Sequence, residues 1–124
     1  MQKKILITGS EGFLGRHLIK FLSKKKNNLI SGTFLKKKNL LSSTNVKYIK
    51  CDVRNKKNIE KILKISKPNI IFHLAAKSHP NFSFLNPSET LHTNVIGTAN
   101  LLEIVQKTNL KSKIIIACSS AQYG

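Results

Sequence analysis

The chain predicts an α/β fold, a doubly wound parallel sheet, on three observations. Short apolar runs alternate with longer segments of helical period, which is the pattern of successive βαβ units. Several of those runs are apolar on consecutive residues, as strands covered on both faces must be. The first run leads straight into glycines spaced three and three, Gly9, Gly12 and Gly15, across a strand-to-helix turn. With 124 residues there is room for one domain, since independent domains mostly hold about 100 to 150. Hydrophobic residues at 40% and charged residues at 22% are globular values and exclude a disordered tail.

The first strand is expected over Lys4 to Thr8. Its apolar core, Ile5-Leu6-Ile7, is far shorter than the apolar region of a secretory signal. A helix follows in which Leu14, Leu18, Phe21 and Leu22 recur at three to four residues and face the sheet, with Lys20, Lys24, Lys25 and Lys26 outward. The second strand runs from Asn28 to Phe34. Lys36 to Asn45 is polar and lysine-rich and reads as a loop with at most one helical turn. A third strand spans Val46 to Cys51, and a helix spans Asn55 to Ile65 with Ile59, Ile62, Leu63 and Ile65 apolar. The fourth strand covers Asn69 to Leu74. The next helix opens at Asn86-Pro87-Ser88-Glu89, where Asn caps, Pro suits the first turn and Glu can reach back to the cap. Leu91, Val95, Leu102 and Val105 are expected on its buried face. Lys113 to Ser119 completes five strands.

No window approaches the roughly 18 to 20 consecutive apolar residues of a membrane span. Cys51 and Cys118 form no Cys-x-x-Cys pair and have no histidine at metal spacing, so a structural role in a reducing cytoplasm is the expectation, with no metal site. His17, His73, His79 and His92 share no metal spacing either. The net charge of +17 invites a polyanion, yet it comes from 20 lysines and 2 arginines. Aromatic residues are 6% and are not interleaved with the lysines, so neither nucleic acid nor membrane is an expected partner.

The glycine turn carries chemistry. Gly9 suits the tight turn, Gly12 removes a Cβ that would block a pyrophosphate, and Gly15 permits close packing of helix on strand. Phe13 and Leu14, first in the helix, offer backbone N–H groups and a positive dipole end to phosphate. A dinucleotide fold usually carries an acidic residue about 20 positions on, for the ribose 2′-hydroxyl. Here no carboxylate lies between Glu11 and Asp52, and the second strand ends in Thr33-Phe34-Leu35 before Lys36-Lys37-Lys38. That favours NADP(H) over NAD(H), with Lys36 as the first phosphate ligand, against the alternative that the run is a solvated loop. Ala75 and Ala76 leave room for a flat ligand at the end of the fourth strand. Gly97, inside a helix, implies close approach of another backbone. Asn94 suits either of two roles, tying down backbone or touching cofactor.

These segments together resemble the extended short-chain dehydrogenase/reductases, in the nucleotide-sugar epimerase, dehydratase and reductase branch, which implies a Rossmann-like sheet of order 3-2-1-4-5. Thr8 to Gly15 resembles the family's cofactor fingerprint. Cys51-Asp52-Val53 is similar to the segment that brings an Asp side chain and the next amide to adenine. His73-Leu74-Ala75-Ala76-Lys77-Ser78 resembles the stretch beneath the cofactor, which implies that Leu74, Ala75, Ala76 and Lys77 touch cofactor and Ser78 substrate. Asn94 to Glu103 resembles the helix that follows. Ser119-Ser120-Ala121-Gln122-Tyr123-Gly124 resembles the end of the fifth strand, which implies that the Ser119 hydroxyl steadies the reacting sugar oxygen and that Ser120 binds substrate.

The family's acid/base is a Tyr-x-x-x-Lys pair, and this sequence has none: Tyr48 is followed four residues later by Asp52. The expectation is an incomplete NAD(P)-binding domain over 1–124, inactive alone, with catalytic helix and substrate domain beyond it and an aggregation-prone edge at strand five. The resemblance implies an NAD(P)-dependent 4-epimerase or 4-keto-reductase acting on a nucleotide-diphosphate sugar, homodimeric at full length. A 4,6-dehydratase is the alternative, disfavoured because Ser120-Ala121-Gln122 lacks a carboxylate. A non-catalytic dinucleotide-binding regulator or split subunit is the reading from another class.

Overall fold

The computed structural model describes residues 1–36 and 40–123. Its centre is a five-stranded parallel sheet in the order β3-β2-β1-β4-β5, built from β1 (Lys3–Thr8), β2 (Asn28–Phe34), β3 (Val46–Lys50), β4 (Ile70–His73) and β5 (Lys113–Ile116). The helices are α1 (Phe13–Leu22), α2 (Lys56–Ser66), α3 (Pro80–Leu85), α4 (Pro87–Leu91) and α5 (Gly97–Lys107). A π-helical turn, His92–Ile96, joins α4 to α5, and a 3₁₀ turn, Ser120–Tyr123, follows β5. The strand order is the expected one.

Alternation along β1 divides the core in two. Leu6 points to one face, where it meets Ile59, Ile62 and Leu63 of α2 and Leu101, Ile104 and Val105 of α5. Ile5 and Ile7 point to the other, against Ile19 of α1 and Ile30 of β2. Each such fully buried aliphatic side chain contributes about 1.5–3 kcal/mol, so these two clusters hold the sheet between its helices. The outer strands are less covered: β3 and β5 are edge strands, none of their residues is fully buried, and β5 is the open edge expected of it.

Two helical faces, those of α1 and α5, depart from expectation, and that of α2 does so only at Ile65. On α1 the buried residues are Gly15 and Ile19, flanked by Leu18 and Leu22, while Leu14 and Phe21 are exposed. Gly15 is the reason: it is the point of closest approach to the turn after β1, so the face centres on it. On α2 Ile65 is exposed, and Asn55 caps the helix by accepting from the N–H groups of Lys57 and Asn58. The stripe expected along the later helix is corrected, because Leu91, Val95 and Leu102 are all exposed and Val105 alone is buried. The π turn changes the helical phase after α4, and the face beyond it is Gly97, Asn100, Leu101, Ile104 and Val105. Asn86 also differs from its expected role. Its side chain caps nothing and donates to Phe82 O, and Glu89 pairs with Arg54 and Lys77 instead of reaching back. Residues 40–45 hold no helical turn, and Lys37 and Lys38 lie outside the described residues.

Candidate functional site

The order of the sheet reverses between β1 and β4, and the crevice at the carboxyl ends of those strands is where open α/β sheets bind ligands. Two adjoining cavities occupy it, one of about 230 Å³ towards β2 and one of about 880 Å³ towards β5. Gly9, Gly12, Leu74, Ala75, Ala76 and Lys77 border both.

The glycine loop forms the floor. Gly9 has φ +67°, and a Cβ on it would lie 2.8 Å from both the N and the Cα of Ala75, so strain and contact both require glycine there. A Cβ on Gly15 would collide with the Gly9 carbonyl oxygen and lie 2.8 Å from Ser10 Cα, which sets how closely α1 can pack. Among the described residues a Cβ on Gly12 would meet only Gly9 O, 3.3 Å away, so a side chain there would stand in the crevice. Gly12 also begins α1 with no side-chain cap. Phe13 and Leu14, in the first turn, line the larger cavity at the positive end of the helix dipole.

Two residues stitch this loop to the end of β2, and neither was singled out in the sequence. Ser10, fully buried, donates to Thr33 O from both N (2.8 Å) and Oγ (2.7 Å). Glu11 reaches across to accept from Leu35 N–H through Oε1 at 2.9 Å, while its Oε2 is buried without a partner among the described residues. The available signal for Glu11 was its position, a carboxylate inside the glycine string.

At the end of β3, Asp52 and Arg54 form a fork. Arg54 Nε lies 2.9 Å from Oδ1, Nη2 lies 2.7 Å from Oδ2, and Arg54 N also donates to Oδ1. The guanidinium holds the Asp52 carboxyl below the usual carboxylate range. Both residues border the smaller cavity with buried Val53, whose Cγ2 would lie 2.7 Å from a Cβ on Gly97. Gly97 thus admits a side chain, a correction to the expected backbone approach. Burial and the neighbouring Asp52 push the Cys51 thiol up to about 11, consistent with a structural cysteine.

Beneath β4 lies a polar relay. Thr8 Oγ1 accepts from Leu74 N and Ala75 N, both at 3.1 Å, so its own proton goes to His73 Nδ1 at 2.8 Å. His73 is then the neutral Nε2–H tautomer, donating to Thr98 Oγ1 at 3.0 Å, and Thr98 donates to Asn94 O. Burial lowers the His73 pKa in the same sense. Asn94 ties down backbone while also bordering the larger cavity: Oδ1 accepts from Lys77 N at 2.7 Å and Nδ2 donates to Lys77 O at 3.0 Å. The Lys77 ammonium turns to Glu89, 3.2 Å away, and lies over the Phe82 ring.

Ser78 and Ser119 border the larger cavity, where Ser119 Oγ accepts from Ala121 N at 3.2 Å. Ser120 and Lys36 are exposed and line neither cavity. The structure therefore gathers Gly9, Gly12, Phe13, Leu14, Gly15, Asp52, Val53, Leu74, Ala75, Ala76, Lys77, Ser78, Asn94 and Ser119 about one crevice. Among the described residues there is no cluster of three potential metal ligands, and no helix is long and apolar enough to cross a membrane.

A family model described as GDP-mannose 4,6 dehydratase matches residues 6–124. CDP-paratose 2-epimerase of Salmonella typhi is 34% identical over 128 residues, which cover 98% of this chain and 38% of that protein. Among solved structures, UDP-N-acetylglucosamine 4-epimerase from Methanobrevibacter ruminantium M1, in complex with UDP-N-acetylmuramic acid, is 30% identical with a TM-score of 0.83. That likeness covers 99% of this chain and 40% of that one. UDP-glucose 4-epimerase from Thermotoga maritima, with UDP-glucose, is 27% identical with a TM-score of 0.79, over 90% of this chain and 36% of that one. The chain thus spans less than half the length of each of these relatives.

Proposed function

The chain belongs to the GDP-mannose 4,6 dehydratase family, and from that membership we propose that it forms the dinucleotide-holding portion of an NAD(P)-dependent nucleotide-sugar enzyme, of 4-epimerase or 4-keto-reductase type. The observation that carries the reading is the glycine loop. Its glycines keep the floor of the crevice free of side chains, and the uncapped amino end of α1 opens onto it, which together fit a pyrophosphate. A bound nicotinamide dinucleotide would supply hydride transfer to and from a sugar carbon.

The chain's own residues hold and orient. Phe13 and Leu14 amides face the phosphates, Asp52 and Val53 border the space for the adenine, and the relay from Thr8 to Asn94 fixes the Leu74 to Lys77 backbone under the larger cavity. Ser119 stands at the far end of that cavity, where its hydroxyl can hydrogen-bond a sugar oxygen. The epimerases among the relatives support the 4-epimerase type. The 4,6-dehydratase reading is favoured by the description of the family model, and the absence of a carboxylate in Ser120-Ala121-Gln122 argues against it. Residues that choose the sugar, and a homodimer interface, belong in this reading to the whole enzyme.

Titration of the chain with reduced dinucleotide, read by nicotinamide fluorescence, tests the proposal. Saturable binding is expected, and Gly12→Glu, which fills the crevice with a like-charged side chain, should abolish it. Tight, salt-sensitive association with an oligonucleotide and none with dinucleotide would overturn it. In the whole protein, interconversion of 4-epimers without loss of water separates the epimerase from the dehydratase.

A further inference from the structure

Of the 5 acidic residues in a chain of net charge +17, Asp52, Glu60, Glu89 and Glu103 each pair with a lysine or arginine. Glu11 is the exception: no described cation lies within salt-bridge reach, although lysine is abundant in the sequence. Its position is nonetheless fixed. The Leu35 N–H holds Oε1 at 2.9 Å, and Oε2 is buried with no hydrogen-bond partner among the described residues. The carboxylate borders the smaller cavity beside Thr33, Phe34 and Leu35, at the end of β2, where the sequence itself supplies no acid.

An ionised carboxylate is acceptor-only, with about four lone-pair sites. The Leu35 N–H occupies one, so the group retains capacity for two hydroxyl donors. A buried acceptor without a donor is costly, and a ligand that brings O–H groups to it recovers that cost. A phosphate monoester brings only acceptors and negative charge to the same point, so carboxylate and phosphate repel across a few ångströms of partly dry crevice. We propose that Glu11 selects the dinucleotide: delivered from the glycine loop to the end of β2, its carboxylate accepts the adenine-ribose hydroxyls and turns away a 2′-phosphate. The chain then binds NAD(H) in preference to NADP(H), the reverse of what the lysine run suggested. The inference rests on the proposed dinucleotide crevice and assigns its discriminating residue.

Dissociation constants for NADH and NADPH, measured on the full chain and on Glu11→Gln, test it. Glutamine keeps an acceptor for Leu35 N–H and removes the charge. The wild type should hold NADH about 10-fold or more tighter than NADPH, and Glu11→Gln should narrow that ratio by about 10-fold, the size expected of a charge-assisted hydrogen bond. No preference, a preference for NADPH, or an unchanged ratio in a Glu11→Gln protein that melts like the wild type would overturn the assignment while leaving the crevice reading intact. Binding of neither dinucleotide would overturn that reading and the assignment with it. Displacement of NADH from the wild type by ADP-ribose, compared with 2′-phospho-ADP-ribose, gives the same answer without a substitution: ADP-ribose must be the stronger competitor.

Discussion

Burial of His73 lowers its pKa, and both ring nitrogens are committed as one acceptor and one donor between Thr8 and Thr98. Protonation would turn Nδ1 into a donor facing the Thr8 hydroxyl, whose lone pairs already accept from Leu74 and Ala75. The unfolded chain therefore binds this proton more readily than the folded one, and the sign follows from linkage. The contribution is fully present above about pH 6.5, the ordinary histidine value, and is lost as the pH falls from there towards the lowered folded value. Its slope can reach about 1.4 kcal/mol per pH unit. Urea denaturation at several pH values should show that decline in the wild type and a flatter profile in His73→Gln; parallel profiles would remove His73 as the cause. This role was out of reach of the sequence, because His73 is defined by partners such as Thr98 that only the fold brings to it. Gly9 and Gly15 were legible because backbone geometry at a strand-to-helix turn is a local property.

At the scale of elements, the strands were legible, as was the Ile59, Ile62 and Leu63 face of α2, whereas the faces of α1 and α5 were not. Consecutive apolar residues mark β1 and β4 whatever surrounds them, and the second strand was placed at its observed limits, Asn28–Phe34. A helical face, by contrast, is set by what packs against it. The π turn between α4 and α5 and the burial of polar Asn100, whose Nδ2 donates to Val53 O and Arg54 O, move the buried face away from the apolar stripe. The same π turn carries Asn94, which grips the Lys77 backbone through two hydrogen bonds. Asn94→Ala should cost about 1–2 kcal/mol, since Lys77 N–H loses its acceptor in a partly buried setting. Denaturant titration measures this, and Asn94→Asp, which keeps the acceptor, should recover part of the loss. Equal losses in the two variants would mean that the clamp is not the source.

For the whole molecule, order 3-2-1-4-5 leaves β5 at the edge of the sheet, with Ile115 and Ile116 each 38% exposed in these 124 residues. An apolar parallel edge is a template for pairing between chains. The 124-residue chain by itself should self-associate as its concentration rises, and Ile115→Lys should suppress this in light scattering and sedimentation. A wild-type chain that stays monomeric and cooperatively folded at high concentration would defeat that expectation. The site's location was legible at this scale, because glycine string and strand order together place a crevice, whereas Glu11's reach to β2 was not, since it needs the spatial adjacency of Glu11 and Leu35. That stitching has a thermodynamic corollary. Ser10 and Glu11 pin the loop to the end of β2 through the chain's own hydrogen bonds, so a ligand that seats on it forfeits little conformational freedom of the host on arrival. Calorimetry of dinucleotide binding should accordingly show a heat-capacity change no larger than burial of the ligand's own surface requires, without the added signature of a segment folding around it.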